Sequence, residues 1–131
     1  MAFLQKMFDL TTLADKPSEQ ELHQLAMKTV GDDLIAQGYE FVAVNSELKK
    51  DHQFVCKKDK QLIFVVVKAY VYPTNPRDYN QELLNKIKAH AEKYDASVCF
   101  AGVGFARADN YDLPLIKSKP YAINYEGLQD L

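Results

Sequence analysis

Lys68 lies near the end of an apolar run, Gln61 to Tyr70 (QLIFVVVKAY), where a charge without a partner is costly to bury. Upstream of it stand Asp51 and Gln53. A lysine beside one carboxylate could frame an anion-binding cleft, whereas Mg²⁺, a hard cation that prefers oxygen ligands, would need more carboxylates than these two residues supply. The simpler expectation for Lys68 is that it pairs with Asp51 or reaches out to water along its aliphatic stem.

Other candidates are more dispersed. Lys49, Lys50, Lys57 and Lys58 flank one strand-like segment and form the best local basic patch, diluted by Asp51 and Asp59. Lys86, His90 and Lys93 align at i, i+4 and i+7 and could touch phosphate, although a solvated helix face is the stronger reading. Asp32 and Asp33 also read as a solvated face. His23, His52 and His90 have no ligand spacing, so no zinc site is expected. Tyr70, Tyr72 and Tyr79 gather around the segment after Lys68 and suit either base stacking or a hydrophobic partner contact. Gly102-Val103-Gly104 lacks the third glycine of a dinucleotide fingerprint and marks a bulge or a close backbone contact instead.

The elements that must position these residues follow from pattern. With 131 residues and 47% hydrophobic content, the chain supports one cored domain. A net charge of −2 gives no global pull toward nucleic acid. No apolar run approaches the ~20 residues of a membrane span. Cys56 and Cys99 sit in apolar runs and read as buried free thiols, which together with the lack of a secretory signal suggests a cytoplasmic protein. Residues 1–16 form an N-terminal arm in which Phe3, Leu4, Met7, Phe8 and Leu13 cluster if helical. It is expected to dock on its own domain, with a homodimer contact as the alternative.

Residues 17–131 form the domain. Ser18 and Glu21 make a capping box, Leu22, Leu25, Ala26, Val30 and Leu34 form a buried stripe, and Gly38 ends the helix. Strands follow at Tyr39 to Asn45, His52 to Lys57 and Gln61 to Tyr70; the last is apolar on both faces and therefore central. Asn75 and Pro76 are placed to open a second helix that runs to about Tyr94. Ser97 to Phe105 is a strand parallel to the third, because a helical crossover joins them, and Tyr121 to Tyr125 is a short edge strand. The fold class is α/β: a single three-layer α-β-α domain with a mixed central sheet, in the order α-β-β-β-α-β-(β). If Asp59-Lys60 is a two-residue turn, Lys58 pairs with Gln61, Gln53 faces Val66 and Asp51 faces Lys68.

Gly38-Tyr39, a strand, Asn45, Asp51-His52-Gln53-Phe54-Val55, a turn, and Leu62-Ile63-Phe64-Val65-Val66-Val67-Lys68 together resemble the core of the PD-(D/E)XK nuclease superfamily. Within it, they are most similar to the small bacterial family related to Holliday-junction resolvases. Element order and spacing agree over roughly residues 20–105. The resemblance implies a restriction-endonuclease-like fold with Lys68 at the catalytic lysine position. It also exposes departures. The hairpin Asp of the pattern falls on Gln53, the Glu of its Glu-x-Lys falls on Val66, and the helix Glu falls near Met27.

Gln is a weak neutral ligand and Val is none. The expectation is therefore a catalytically inactive nuclease-like domain that binds nucleic acid or a protein partner, with no cofactor and no membrane. Lys68, Asp51 and Gln53 are its remnant catalytic positions, and Lys49, Lys50, Lys57, Lys58 and Lys86 are its binding candidates. One alternative is an active Mg²⁺-dependent nuclease whose acids have moved to Asp51 with Asp32 or Glu47. Another is an oligomerisation module.

Overall fold

Ser18 opens the first helix as the capping box requires: its N–H donates to Glu21 Oε1 and its Oγ accepts from the Glu21 N–H, both at 3.1 Å. The computed structural model describes residues 15–46 and 52–131. In it this helix, α1, spans Glu19–Ala36 and ends at Gly38, whose φ of +86° is a conformation glycine adopts without strain. Strands β1 (Glu40–Val44), β2 (Phe54–Lys58) and β3 (Gln61–Val71) follow, then helix α2 (Gln81–Glu92). Strands β4 (Ala96–Arg107), β5 (Tyr121–Asn124) and β6 (Gln129–Asp130) complete the described chain.

The hairpin between β2 and β3 turns at Asp59 and Lys60, with φ of 52° and 69°. Two positive values in a two-residue loop are the type I′ geometry whose twist matches the flanking strands. Lys58 pairs with Gln61 as expected, and regular pairing continues to Phe54 with Val65. β3 and β4 run parallel over ten pairs, from Leu62 with Ala96 to Val71 with Phe105. The sheet order is β1-β2-β3-β4-β5, and β6 also pairs β4, beside its first half.

Side-chain alternation along β3 and β4 builds two cores. Val65, Val67, Ala101, Val103 and Phe105 pack with Ala26, Val30 and Leu34 of α1. Phe64, Val66, Val98 and Phe100 pack with Leu84, Ile87 and Ala91 of α2. One helix therefore covers each face, which gives the expected three-layer α-β-α arrangement around a mixed sheet. The additional strand β6 extends the expected order.

Strand ends shift by up to two residues, with β2 starting at Phe54 instead of His52, and the largest difference is the start of α2. Asn80, not Asn75, caps α2: its Oδ1 accepts from the Leu83 N–H at 3.1 Å. Asn75 instead closes a local turn, accepting from the Arg77 N–H at 3.0 Å. Pro76 is buried against β4. A Cβ added at Gly102 would lie 1.6 Å from the Pro76 carbonyl oxygen, and one at Gly104 would lie 3.2 Å from Pro76 Cγ. The glycines of the Gly102-Val103-Gly104 run thus serve a close backbone contact: they let the loop before α2 lie directly on the strand.

Candidate functional site

The corner where α1 begins, β1 ends and β2 enters the sheet brings part of the candidate set together. Gln20 Nε2 donates to the Ser46 carbonyl at 2.9 Å, and the Asn45 N–H donates to the Gln53 carbonyl at 2.7 Å. These bonds fix α1 and the end of β1 around Gln53.

Gln53 is 1% exposed and closes the ladder by an irregular route. Its N–H donates to the Val65 carbonyl at 2.9 Å, although Phe54 is already the residue paired with Val65. Its side-chain Oε1 accepts from the Val67 N–H at 2.6 Å. A side chain thus satisfies a backbone donor of the central strand just beyond the end of the β2 pairing. Leaving such a donor buried and unpaired costs ~1–3 kcal/mol. Val66, at the other acidic position of the resemblance, is fully buried in the α2-side core.

Lys68 is half-buried and lies beside Gly102 in the sheet. Among the described residues no carboxylate forms an ion pair with it. Its expected neighbour Asp51, together with Glu47, Lys49 and Lys50, falls outside the described residues, as do residues 1–14 of the N-terminal arm.

Sequence reasoning missed His23. It is fully buried on α1, and neither ring nitrogen has a hydrogen-bond partner among the described residues. Burial lowers its pKa below the ordinary 6.5, and the Lys68 charge adds to the effect. Met27, the position counted back from Gly38, is packed in the α1-side core. The residue of α1 that feels Lys68 is thus one turn earlier. The signal was present: His23, Ala26, Val30 and Leu34 share one helical stripe, and a polar residue there is an anomaly.

The remaining candidates lie elsewhere. Lys57 and Lys58 are at the hairpin end of β2, whereas Lys68 is seven residues along β3 from Gln61. At about 3.3 Å per residue that separation is ~23 Å. Lys58 Nζ lies 5.1 Å from the Tyr39 ring centroid. Lys86 is exposed on α2. Asp32 pairs with Lys28 at 2.9 Å on the exposed face of α1. Asp33 accepts from the Tyr125 hydroxyl at 2.6 Å, which ties the helix to the C-terminal segment.

The three tyrosines separate as well. Tyr70 donates to the Asp78 carbonyl at 2.7 Å, Tyr79 packs on Phe100 with ring centroids 5.3 Å apart, and Tyr72 stands exposed with Tyr111, 5.6 Å between centroids. His52 stacks on Phe64 at 4.5 Å, with His90 6.3 Å from His52. Among the described residues no group of three His, Cys, Asp or Glu side chains is arranged to hold a metal ion. Cys56 and Cys99 are free and buried, as expected. Burial pushes the Cys56 thiol up to about 11, and burial with the Asp130 hydrogen bond takes Cys99 to about 12. Neither is an activated nucleophile. No described helix is long and apolar enough to cross a membrane.

Residues 20–131 match the family model described as "Domain of unknown function (DUF8840)". The chain belongs to this family. No curated protein matches it. The DUF8840 region begins inside α1 and includes His23, Gln53, Lys68 and the Pro76–Gly102 contact. The first 19 residues precede it.

Proposed function

We propose that this DUF8840 chain is a nuclease-like domain without a hydrolytic centre, and that it acts by binding a protein partner. The observation that carries the reading is the use made of Gln53. At the position where the nuclease pattern has a metal-holding Asp, a neutral amide has its oxygen committed to the Val67 N–H. The companion acid position is a valine with no exposed surface. Lys68 then has no described carboxylate with which to share a metal ion, and a lone ammonium does not supply the charge density that phosphodiester hydrolysis requires.

A protein partner is favoured over nucleic acid by what the surface offers. Among the described residues the cationic candidates are dispersed, at the hairpin end of β2, on α2 and at the far end of β3. A nucleic-acid surface gathers them into one stripe. Edge strands β1 and β5 instead expose apolar side chains: Phe41, Val42 and Val44 on β1, and Tyr121 and Ile123 on β5. Exposed apolar edges suit strand addition or a hydrophobic interface.

The test is a cleavage assay on branched and single-stranded DNA with Mg²⁺ or Mn²⁺, using the full chain. The expected result is no cleavage above a metal-free control. Robust cleavage lost in Lys68→Ala would overturn the reading. A mobility-shift assay on the same DNA separates the two partner classes. Binding that Lys57→Glu with Lys58→Glu abolishes would replace the protein partner with nucleic acid.

A further inference from the structure

We propose that the groove between α1 and the 113–121 segment is the docking site of the chain's own residues 3–13. The groove has a volume of about 360 Å³, with Leu22, Leu25, Phe105, Leu115, Ile116 and Tyr121 among its lining. Leu25 is only partly buried and Tyr121 is 45% exposed, so apolar surface here has no cover among the described residues.

The place where the described chain begins argues for this occupant. The Asp15 carbonyl accepts from the Lys117 N–H at 2.7 Å, and Asp15 Oδ2 accepts from the Ser118 N–H at 3.2 Å. Lys117 in turn pairs with Glu21 at 3.1 Å. Lys117, Glu21 and Pro17 all line the groove. The backbone at Asp15 is therefore fastened to the groove wall.

Length and chemistry agree with the location. The groove follows α1 from Pro17 to Lys28. Eleven residues of helix span ~16 Å, and residues 3–13 as a helix would cover the same distance. In that form Phe3, Leu4, Met7 and Phe8 share one apolar face, and the only charged residues between positions 3 and 13 are Lys6 and Asp9. A short reversal about Lys16 has the length of an ordinary helix–helix connection and sets Met7 beside Leu25. The same chain is favoured over a second copy because the Asp15 anchor delivers the segment to its own groove. The inference does not depend on the nuclease-like reading.

The test is a cysteine pair in the full chain, Met7→Cys with Leu25→Cys, with Met7→Cys and Lys57→Cys as the distant control. On mild oxidation the first pair should form an internal disulfide at monomer mass, and the control pair should not. A disulfide-linked dimer as the main product, or crosslinking no better than the control, would overturn the proposal. A second readout uses the thermal midpoint. Phe8→Ser should lower it by several degrees, and combining it with Leu25→Ala should cost less than the sum of the two single changes. An unchanged midpoint in Phe8→Ser, or strictly additive losses, would count against docking.

Discussion

The two ends of β3 follow different rules. At its start, the β2–β3 hairpin is regular: a type I′ turn, five paired residues in register and lysines in solvent. At its far end nearly every join is made by an exception. A glutamine side chain replaces a ladder carbonyl, a proline carbonyl lies against a glycine strand, a histidine is buried without a described partner, and Lys68 stands half-buried among them. Polar and irregular features concentrate where a fold has been adapted, and here they sit where the nuclease resemblance puts its chemistry. Each exception can nevertheless be assigned a structural task or a measurable cost. The difference between the ends therefore separates a join built by local rules from one built by tertiary contacts.

The comparison can be broken most severely at Gly102. Gly102→Ala drives a methyl group into the Pro76 carbonyl, and backbone cannot move aside as a flexible side chain would. Chemical denaturation should show a loss of about 3 kcal/mol or more, at the top of the overpacking range. A loss below ~1 kcal/mol would mean that the loop before α2 is not held against β4.

Next is Gln53→Leu, which keeps the volume and removes the acceptor for Val67. A loss of about 1–3 kcal/mol is expected, with the Val67 amide losing protection from hydrogen exchange. Unchanged protection would show that another group satisfies that donor.

His23 sharpens the comparison through pH. Its folded pKa lies below the unfolded 6.5, so between the two values the unfolded chain binds the extra proton. Stability should be fully present above pH 6.5 and fall as pH drops below it, levelling once the folded pKa is passed. One such group contributes a slope of at most ~1.4 kcal/mol per pH unit. His23→Leu should remove that slope and cost nothing at pH 7.5. A variant destabilised at pH 7.5 would mean the imidazole is hydrogen-bonded in solution.

The smallest effect belongs to the regular end. Replacing Asp59-Lys60 by Asn-Gly supplies residues suited to two positive φ values and should stabilise by less than ~1 kcal/mol. Destabilisation would indicate that the turn is not of type I′.

Much of this was legible in the sequence wherever a local rule acts alone. Ser18 with Glu21 sets the start of α1, and the Asp59-Lys60 turn sets the β2–β3 register. The two-faced apolar run gives β3 its central place, and the crossover gives β4 its direction. The misses arise where tertiary contact decides between equal local options. Asn75-Pro76 and Asn80 both satisfy capping preference, and Asn80 takes the role because Pro76 is needed against Gly102. β6 is two residues long and carries no pattern of its own. For the site, sequence identified Gln53 and Val66 as departures from the nuclease pattern. The Val67 bond was not legible, because the regular register gives no reason for a side chain to enter the ladder. The signal at His23 is its place in an apolar stripe, which ligand spacing between histidines does not reveal.

We propose that the corner around Gln53 and Lys68 is a structural join, with Gln53 Oε1 committed to the Val67 N–H. The most direct measurement adds Mn²⁺ to the isotopically labelled full chain and follows amide line broadening. The expected result is no selective broadening at Gln53, Val67 and Lys68, with any loss of signal confined to exposed acidic residues. Selective broadening of those three amides at low Mn²⁺, relieved by excess chelator, would contradict the account and restore the hydrolytic reading.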